Sequence, residues 1–212
     1  MHILVLGATG RTGSIVASKA IGRGHQVTAI VRDKRKGTLP GVKFIEGFPT
    51  DGPLLNNTLP GIDAVVVSLN INRSSDNPFA RVVSPLTLIS DTVNTLIPAM
   101  EQNSVRRIIT VSASGVGDSW KDMPLIARLF LRYSNIWKAY QDHHRQEQLL
   151  MKSNLAWTIV RPVMLNNKET ENYQASIGKP KGSGISRAGV AKFILDAIES
   201  EKYARECVTL SS

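Results

Sequence analysis

Short apolar runs rich in valine and isoleucine alternate along the chain with longer segments whose apolar positions recur every three or four residues. The runs predict strands and the longer segments predict helices. Strands are expected at residues 3–6, 26–31, 43–46, 63–69, 106–111, 155–160 and 206–210. Helices are expected at residues 12–23, 51–59, 78–103, 139–152 and 186–200. The alternation predicts a single α/β domain, a doubly wound parallel sheet of the Rossmann-like type.

Three residues bear on the predicted helix limits. Pro85 and Pro98 are expected to bend or delimit the helix at 78–103, because proline cannot donate a helical hydrogen bond. Ser186 is a suitable N-cap for the last helix.

A glycine-rich turn joins the first strand to the first helix. Gly7, Gly10 and Gly13 follow the apolar run at three-residue spacing. Gly7 permits a sharp exit from the strand, Gly10 lets the backbone approach a pyrophosphate, and Gly13 lets the helix pack close to the strand. The helix N-terminus adds free N–H groups and a positive dipole end. This order of elements predicts a dinucleotide-binding turn, with a purely structural turn as the alternative.

Further candidate residues stand where the other strands end, at the edge of the sheet where such folds bind ligands. Arg32 follows the second strand, with three more cations close behind, so the 2′-phosphate of NADP is favoured over NAD; a solvated basic loop is the alternative. Ser68, Leu69 and Asn70 end the fourth strand, where small or polar side chains would let a dinucleotide lie across it. Residues 112–114 lie at the end of the fifth strand.

Composition sets further limits. The chain has 212 residues, a formal net charge of +9 and a single cysteine, Cys207, which excludes an internal disulfide and favours a cytoplasmic protein. No apolar run is long enough for a transmembrane segment. The positive charge favours a phosphorylated cofactor and an acidic substrate. Nucleic-acid binding is not expected, since the cations are dispersed and no nucleic-acid motif accompanies them.

The segment at 116–140 is unusually apolar for a connection between elements. It is too apolar to lie exposed on all sides, and it carries cations such as Arg128 and Arg132. The pattern is compatible with a substrate-pocket wall, a dimer face, a membrane-surface contact or plain core packing. A pocket wall is favoured, and a small substrate-side region is therefore expected from about residues 115–140 and 163–185 of one NAD(P)-binding domain, 1–212.

Several blocks resemble the atypical short-chain dehydrogenases/reductases, in the NAD(P)H-binding, NmrA-like branch that includes biliverdin-IXβ reductases. They are LGATGRTG at 6–13, VRD at 31–33, VSASG at 111–115, HHRQEQLLMKSNLAWTIVRP at 143–162 and ISRAGVA at 185–191. The resemblance runs nearly end to end. The chain departs from it at Phe48, where many relatives have an acidic residue, and at Gly189, where they usually have aspartate.

The resemblance implies roles for individual residues around an NADP(H) cofactor. Pyrophosphate contacts are implied for Gly7, Thr9, Gly10, Arg11, Thr12 and Gly13. The 2′-phosphate would be bound by Arg32 and Arg35, and the adenosine side flanked by Leu69 and Asn70. Nicotinamide contacts are implied for Ser112, His143, Pro162 and Val163. No metal site is expected.

The catalytic residues of ordinary family members are only partly present. Those members use Ser, Tyr and Lys, with the last two spaced Tyr-x-x-x-Lys. Tyr140 and His144 have that spacing, but alignment on Glu147 puts His143 at the lysine position and Ala139 at the tyrosine position. Ser112, His143 and Tyr140 are therefore the catalytic candidates, while a solvated helix face is the alternative for both histidines.

These features predict an NADPH-dependent reductase of a flavin, quinone or related conjugated small molecule. The second pocket histidine of the biliverdin-IXβ reductases is Met164 here, which weakens biliverdin as the substrate. Reduction of a flat electron-poor ring needs little beyond positioning against nicotinamide. The alternative is a non-catalytic NADP(H)-binding redox sensor or assembly factor of the NmrA-like type. A monomer or weak homodimer is expected.

Overall fold

The computed structural model describes all 212 residues. The strands are β1 (His2–Leu6), β2 (Gln26–Val31), β3 (Val42–Glu46), β4 (Ala64–Val67), β5 (Arg107–Val111), β6 (Ala156–Pro162), β7 (Met164–Asn166), β8 (Gln174–Ile177), β9 (Gly184–Ser186) and β10 (Glu206–Ser211). The helices are α1 (Arg11–Gly22), α2 (Gly52–Thr58), α3 (Leu88–Gln102), α4 (Leu125–Tyr133), α5 (Ile136–Lys152) and α6 (Arg187–Glu199).

Eight strands form one sheet in the order β3-β2-β1-β4-β5-β6-β10-β8. Seven are parallel, and β8 pairs antiparallel with β10 at one edge. The strand order reverses between β1 and β4, and this switch point is where Rossmann-like folds open a ligand crevice. The prediction of a doubly wound α/β fold is confirmed.

Helices cover both faces of the sheet, which explains why its central strands are apolar on both sides. One buried cluster joins β1 and β4 to α1 and α6, and includes Val16 and Phe193. The other joins the opposite face to α2, α3 and α5, and includes Leu96 and Leu150. Every residue of β4 and β5 is buried. No helix is both long and apolar enough to cross a bilayer.

The predicted helix at 78–103 is wrong in its first ten residues. The apolar spacing of Phe79, Val82, Val83 and Leu86 imitates a helical face, but the backbone here pairs with the preceding loop instead. A β-bridge joins Arg73 to Val82. Pro85 precedes the true helix, whereas Pro98 lies inside it.

The start of α3 is set by a side chain from another helix. Asp142 of α5, fully buried, accepts hydrogen bonds from the N–H groups of Ile89 (2.8 Å) and Ser90 (3.3 Å) and from the Ser90 hydroxyl (2.5 Å). Thr87, the residue at the N-cap position, makes no side-chain cap bond. Asp142 therefore satisfies amides that a local cap would otherwise serve.

Smaller differences concern the second half of the chain. Three strands lie where none was predicted, since β7 pairs with β9 and β8 joins the main sheet. These strands have three or four residues each, too few for a clear periodic signal. The expected N-cap Ser186 is confirmed, since its hydroxyl accepts from the N–H of Gly189 at 2.8 Å.

Candidate functional site

The glycine turn brings β1, β4 and α1 into direct backbone contact. Gly7 has a φ of +94°, and a Cβ there would lie 2.4 Å from the carbonyl oxygen of Ser68 at the end of β4. A Cβ on Gly13 would lie 2.2 Å from the carbonyl oxygen of Gly7. Both positions therefore exclude any side chain, as close strand-to-helix packing requires.

The N-terminus of α1 faces the carboxyl edge of the sheet without a side-chain cap. Gly10 is its N-cap residue, and the first turn holds no acidic residue. The first helical bond runs from the Ser14 N–H to the Gly10 carbonyl (2.9 Å), so the N–H groups of Arg11, Thr12 and Gly13 precede it. Free amides at a helix N-terminus with open glycine backbone suit the phosphates of a dinucleotide.

Arginines lie around this turn in different electrostatic states. Arg32, directly after β2, is exposed and has no carboxylate within ion-pair distance. Arg35 is bonded to Asp33 through its backbone N–H (3.0 Å), Nε (2.9 Å) and Nη2 (3.1 Å). The side-chain bond from Arg35 lowers the pKa of Asp33. Arg11 makes two 3.1 Å bonds to the exposed Asp76. Of these three arginines, Arg32 is thus the one left free for an anion, and the exposed side chains of Lys34 and Lys36 nearby also have no carboxylate partner.

At the end of β4, the next residues stay close to the glycine turn. Ser68 and Leu69 are half-buried, and a Leu69 methyl group lies 3.4 Å from the position of a Cβ on Gly7. Asn70 is exposed, and its side-chain oxygen accepts from the N–H of Ile71 at 2.8 Å. We call Gly7–Gly13, Arg32 and residues 68–70 the glycine rim.

A second group of candidate side chains lies where β5 and β6 end; three of them are buried and the fourth, Asp118, is 76% exposed. Ser112 donates its hydroxyl proton to Oε1 of Glu147 at 2.7 Å. Arg161 donates to both oxygens of the same carboxylate, through Nε (3.0 Å) and Nη2 (2.7 Å). Its Nη1 lies 2.7 Å from a carboxylate oxygen of Asp118. We call Ser112, Glu147, Arg161 and Asp118 the carboxylate cluster.

The Arg161–Glu147 ion pair at the centre of this cluster is buried. The side chains of Arg161 and Glu147 are 4% and 2% exposed. Burial alone would lower the pKa of Arg161, but its hydrogen bonds to Glu147 and the attraction of that carboxylate outweigh burial and raise it. For Asp118, burial alone would raise the pKa, but the hydrogen bond to Arg161 and its charge outweigh burial and lower it. Arg161 bonds both carboxylate oxygens of Glu147, and this bidentate geometry is the strong form of an arginine–carboxylate contact.

His143 lies on the same face of α5 as Glu147, one turn earlier, and is buried rather than solvated. Burial lowers its pKa to about 4, although the nearby Asp142 charge acts to raise it. The Gln146 amide donates to Nδ1 of His143 (2.8 Å) and to the Val111 carbonyl (3.3 Å). With Nδ1 accepting, the neutral ring carries its proton on Nε2. His144, in contrast, is exposed.

The Tyr140 hydroxyl is already engaged. It donates to the carbonyl oxygen of Ser114 at 3.0 Å, and burial raises its pKa to about 12. Backbone bonds join the two strand ends nearby, from Ser112 N–H to Val160 (2.7 Å) and from Ser114 N–H to Pro162 (3.0 Å). Pro162 is buried and Val163 half-buried at the same place.

The sequence reasoning missed Arg161 and Asp118 and used Glu147 only as an alignment marker. The available signal for Glu147 was its four-residue spacing from His143, which puts both on one helix face. An arginine inside a buried strand, as at 161, also indicates a carboxylate partner, because a charged side chain is rarely buried unpaired. Nothing local pointed to Asp118, which reaches the cluster from a 3₁₀ turn at Gly117–Asp122.

Comparisons with known proteins agree with this architecture. The family model described as NAD(P)H-binding matches residues 7–201. The uncharacterized protein YwnB of Bacillus subtilis is 26% identical over 224 residues, covering 100% of this chain and 99% of its own. A short-chain dehydrogenase/reductase of Veillonella parvula, solved in complex with NADP, superposes with a TM-score of 0.80 at 18% identity over 100% of this chain and 94% of its own.

A further solved structure, ChuY of Escherichia coli, described as an anaerobillin reductase, has a TM-score of 0.81 at 20% identity, covering 99% of this chain and 96% of its own. These structural likenesses support the fold. The family match covers most of the chain and agrees with the resemblance seen in its motifs. The chain therefore belongs to the NAD(P)H-binding family and has the fold of the short-chain dehydrogenases/reductases.

Proposed function

We propose that this protein is an NADPH-dependent reductase that transfers hydride to a flavin, a quinone or a related conjugated small molecule. The observation that carries the proposal is that the glycine rim and the carboxylate cluster share one edge of the sheet, at the carboxyl ends of β1, β4, β5 and β6. A dinucleotide lying along that edge would have its phosphates at one end and its reactive ring at the other.

In this proposal the glycine rim binds the phosphates and the adenosine. The amides at the start of α1, with Thr9, Arg11 and Thr12 beside them, hold the pyrophosphate. Arg32 binds the 2′-phosphate, and Arg35 contributes less because Asp33 already engages it. Ser68, Leu69 and Asn70 flank the adenosine. The unpaired state of Arg32 and the side-chain-free backbone at Gly10 support these assignments.

At the other end, Ser112, His143, Pro162 and Val163 border the nicotinamide. NADPH, when bound, supplies the hydride; the acceptor gains it with one proton, and NADP⁺ is left. Glu147 fixes the Ser112 hydroxyl, since it accepts that proton at 2.7 Å. The neutral His143 ring carries a proton on Nε2, and solvent is the other source of a proton.

The proposed acceptor class follows from what the site lacks. Reduction of a simple carbonyl develops charge on one oxygen and needs a positioned acid. No lysine stands four residues after Tyr140, and the tyrosine proton is given to a backbone carbonyl. A conjugated ring spreads the added charge, so close positioning of two flat rings is sufficient.

Steady-state oxidation of NADPH with FMN, FAD and quinones as acceptors tests the proposal. We expect turnover with at least one of them and a preference for NADPH over NADH. Tight NADPH binding without reduction of any acceptor would refute the reductase proposal and favour the redox-sensor alternative. The Tyr140 hydroxyl, already bonded to a backbone carbonyl, is the observation that supports this alternative. Failure to bind either nicotinamide would refute both.

A further inference from the structure

Helix α4 presents its apolar residues to solvent. Leu125, Ile126 and Tyr133 are 64%, 83% and 78% exposed, and Leu129 and Phe130 are nearly half exposed. Only Leu131 of this helix is buried. At 100° per residue the five exposed side chains cover an arc of about 140° on one side. This exposure agrees with the dimer-face and membrane-surface interpretations of the segment at 116–140 and disagrees with plain core packing of α4.

This face continues onto the segment at 79–86. The rings of Phe79 and Phe130 meet edge to face with centroids 6.1 Å apart. Asn135 fixes the contact, since its Nδ2 donates to the carbonyl oxygens of Phe79 (3.0 Å) and Ala80 (3.1 Å). Val83 and Leu86 are also exposed, and a cavity of about 540 Å³ opens beside them. We call α4 and residues 79–86 together the apolar face.

Cations without carboxylate partners lie on the elements of the apolar face and on the segments next to them in the chain. They are Arg81, Lys121, Arg128, Arg132 and Lys138, and none has a carboxylate within 4.0 Å. Arg81 and Lys138 line the cavity. The two nearest acids on the 3₁₀ turn, Asp118 and Asp122, are paired with Arg161 and Lys179. An occupant of this face must therefore be both apolar and anionic.

We propose that the apolar face docks on the anionic surface of a lipid bilayer. Helix α4 lies in the plane of the interface, with its exposed arc inserted between the headgroups and the acyl chains. The surrounding cations contact the lipid phosphates. The proposal goes beyond the reductase assignment and does not depend on it.

The charge pattern argues against a second copy of this chain as the occupant. A symmetric dimer through the apolar face would bring two sets of unpaired cations together, and like charges facing each other oppose association. The apolar side chains of α4 also project from a short helix, and none of them lines the cavity beside residues 79–86. A fluid interface accommodates such a surface without shape complementarity.

Flotation of the full-length protein with lipid vesicles tests this proposal. We expect binding to vesicles that contain phosphatidylglycerol, little binding to pure phosphatidylcholine, and release at high salt. Ile126→Glu should lower partitioning at least about tenfold, because it puts a charge at the most exposed apolar position. Arg132→Glu should lower partitioning by about tenfold or more.

The matched control is Ile177→Glu on β8, an apolar residue that is 67% exposed outside the apolar face. It should partition as the native chain does. NADPH binding in the absence of vesicles should be unchanged in Ile126→Glu, which shows that the variant folds. Equal losses in both glutamate variants, no binding to anionic vesicles, or self-association in solution that Ile126→Glu abolishes would each overturn the proposal.

Discussion

The glycine rim and the carboxylate cluster lie at one edge of one sheet but are built in opposite ways. The glycine rim is made mostly of backbone from a single stretch, Gly7–Gly13, in which Ala8 has the only buried side chain. The carboxylate cluster is made of side chains from four separate elements, and Ser112, Glu147 and Arg161 are buried. One is a local motif, and the other exists only after long-range folding.

This difference separates two physical roles. A backbone site offers N–H dipoles whose positions are fixed by the fold, which suits binding of an anionic group. A buried side-chain cluster depends on each of its members, because losing one leaves another charged and unpaired. Substitutions should therefore affect the two regions differently, and the predictions below run from the largest expected effect to the smallest.

Removing the buried carboxylate should have the largest effect on stability. Glu147→Ala leaves Arg161 with Asp118 alone, and breaking a buried pair costs about 3–5 kcal/mol of unfolding free energy. Asp76→Ala removes a carboxylate that also binds an arginine twice, but at the surface, where such a pair contributes below about 1 kcal/mol. Chemical denaturation measures both; equal losses would mean that the cluster is not structural.

Arg32 tests whether the glycine rim selects NADPH. Arg32→Ala should raise the Kd for NADPH by roughly tenfold to a hundredfold and leave that for NADH nearly unchanged, as expected for one or two charged hydrogen bonds. Arg35→Ala should have a smaller effect, since Asp33 holds that side chain. Isothermal titration of the two nucleotides measures this. Equal losses for NADPH and NADH would show that Arg32 does not contact the 2′-phosphate.

The packing of the glycine turn can be broken with one methyl group. Gly13→Ala puts a Cβ 2.2 Å from the Gly7 carbonyl oxygen, and the strain should cost about 1–3 kcal/mol of stability and weaken NADPH binding. Gly22→Ala is the matched control on the same helix, where a Cβ meets nothing within 4 Å. It should stabilise the protein by about 0.5–1 kcal/mol. Thermal unfolding with and without NADPH distinguishes the two outcomes.

His143 gives the acceptor side a characteristic pH dependence. Its folded pKa of about 4 lies below the ordinary value of 6.5, so the unfolded chain binds a proton between these pH values and the folded chain does not. Stability should fall by about 1.4 kcal/mol per pH unit on acidification through this window. His143→Gln should flatten the slope, with His144→Gln as the exposed control. An unchanged slope in His143→Gln would contradict the assignment.

Tyr140→Phe should have the smallest effect. It removes one hydrogen bond to the Ser114 carbonyl, worth about 1 kcal/mol, and the rate of acceptor reduction should hardly change. A large fall in kcat with normal NADPH binding would instead make Tyr140 a proton donor. Stopped-flow oxidation of NADPH separates these outcomes.

The same contrast explains what the sequence could and could not predict. The strands, the glycine turn and the Ser186 cap depend on residues close together in the chain, and they were predicted within a few residues. A buried arginine at 161 indicates a carboxylate partner, but the identity of that partner as Glu147 could not be predicted, because it depends on which strand α5 packs beside. The sequence left several interpretations open for the apolar side of α4, since spacing alone does not reveal which way a face points.

The cap that Asp142 supplies to α3 has a consequence for the order of folding. The carboxylate and the Ile89 amide are 53 residues apart in the chain, so the first turn of α3 gains its hydrogen bonds only when α5 has arrived. Closing a loop of that length precedes the gain. The two helices should consequently form together rather than in sequence order, and a stretch such as 78–103, taken alone as a peptide, should remain largely unstructured at its beginning.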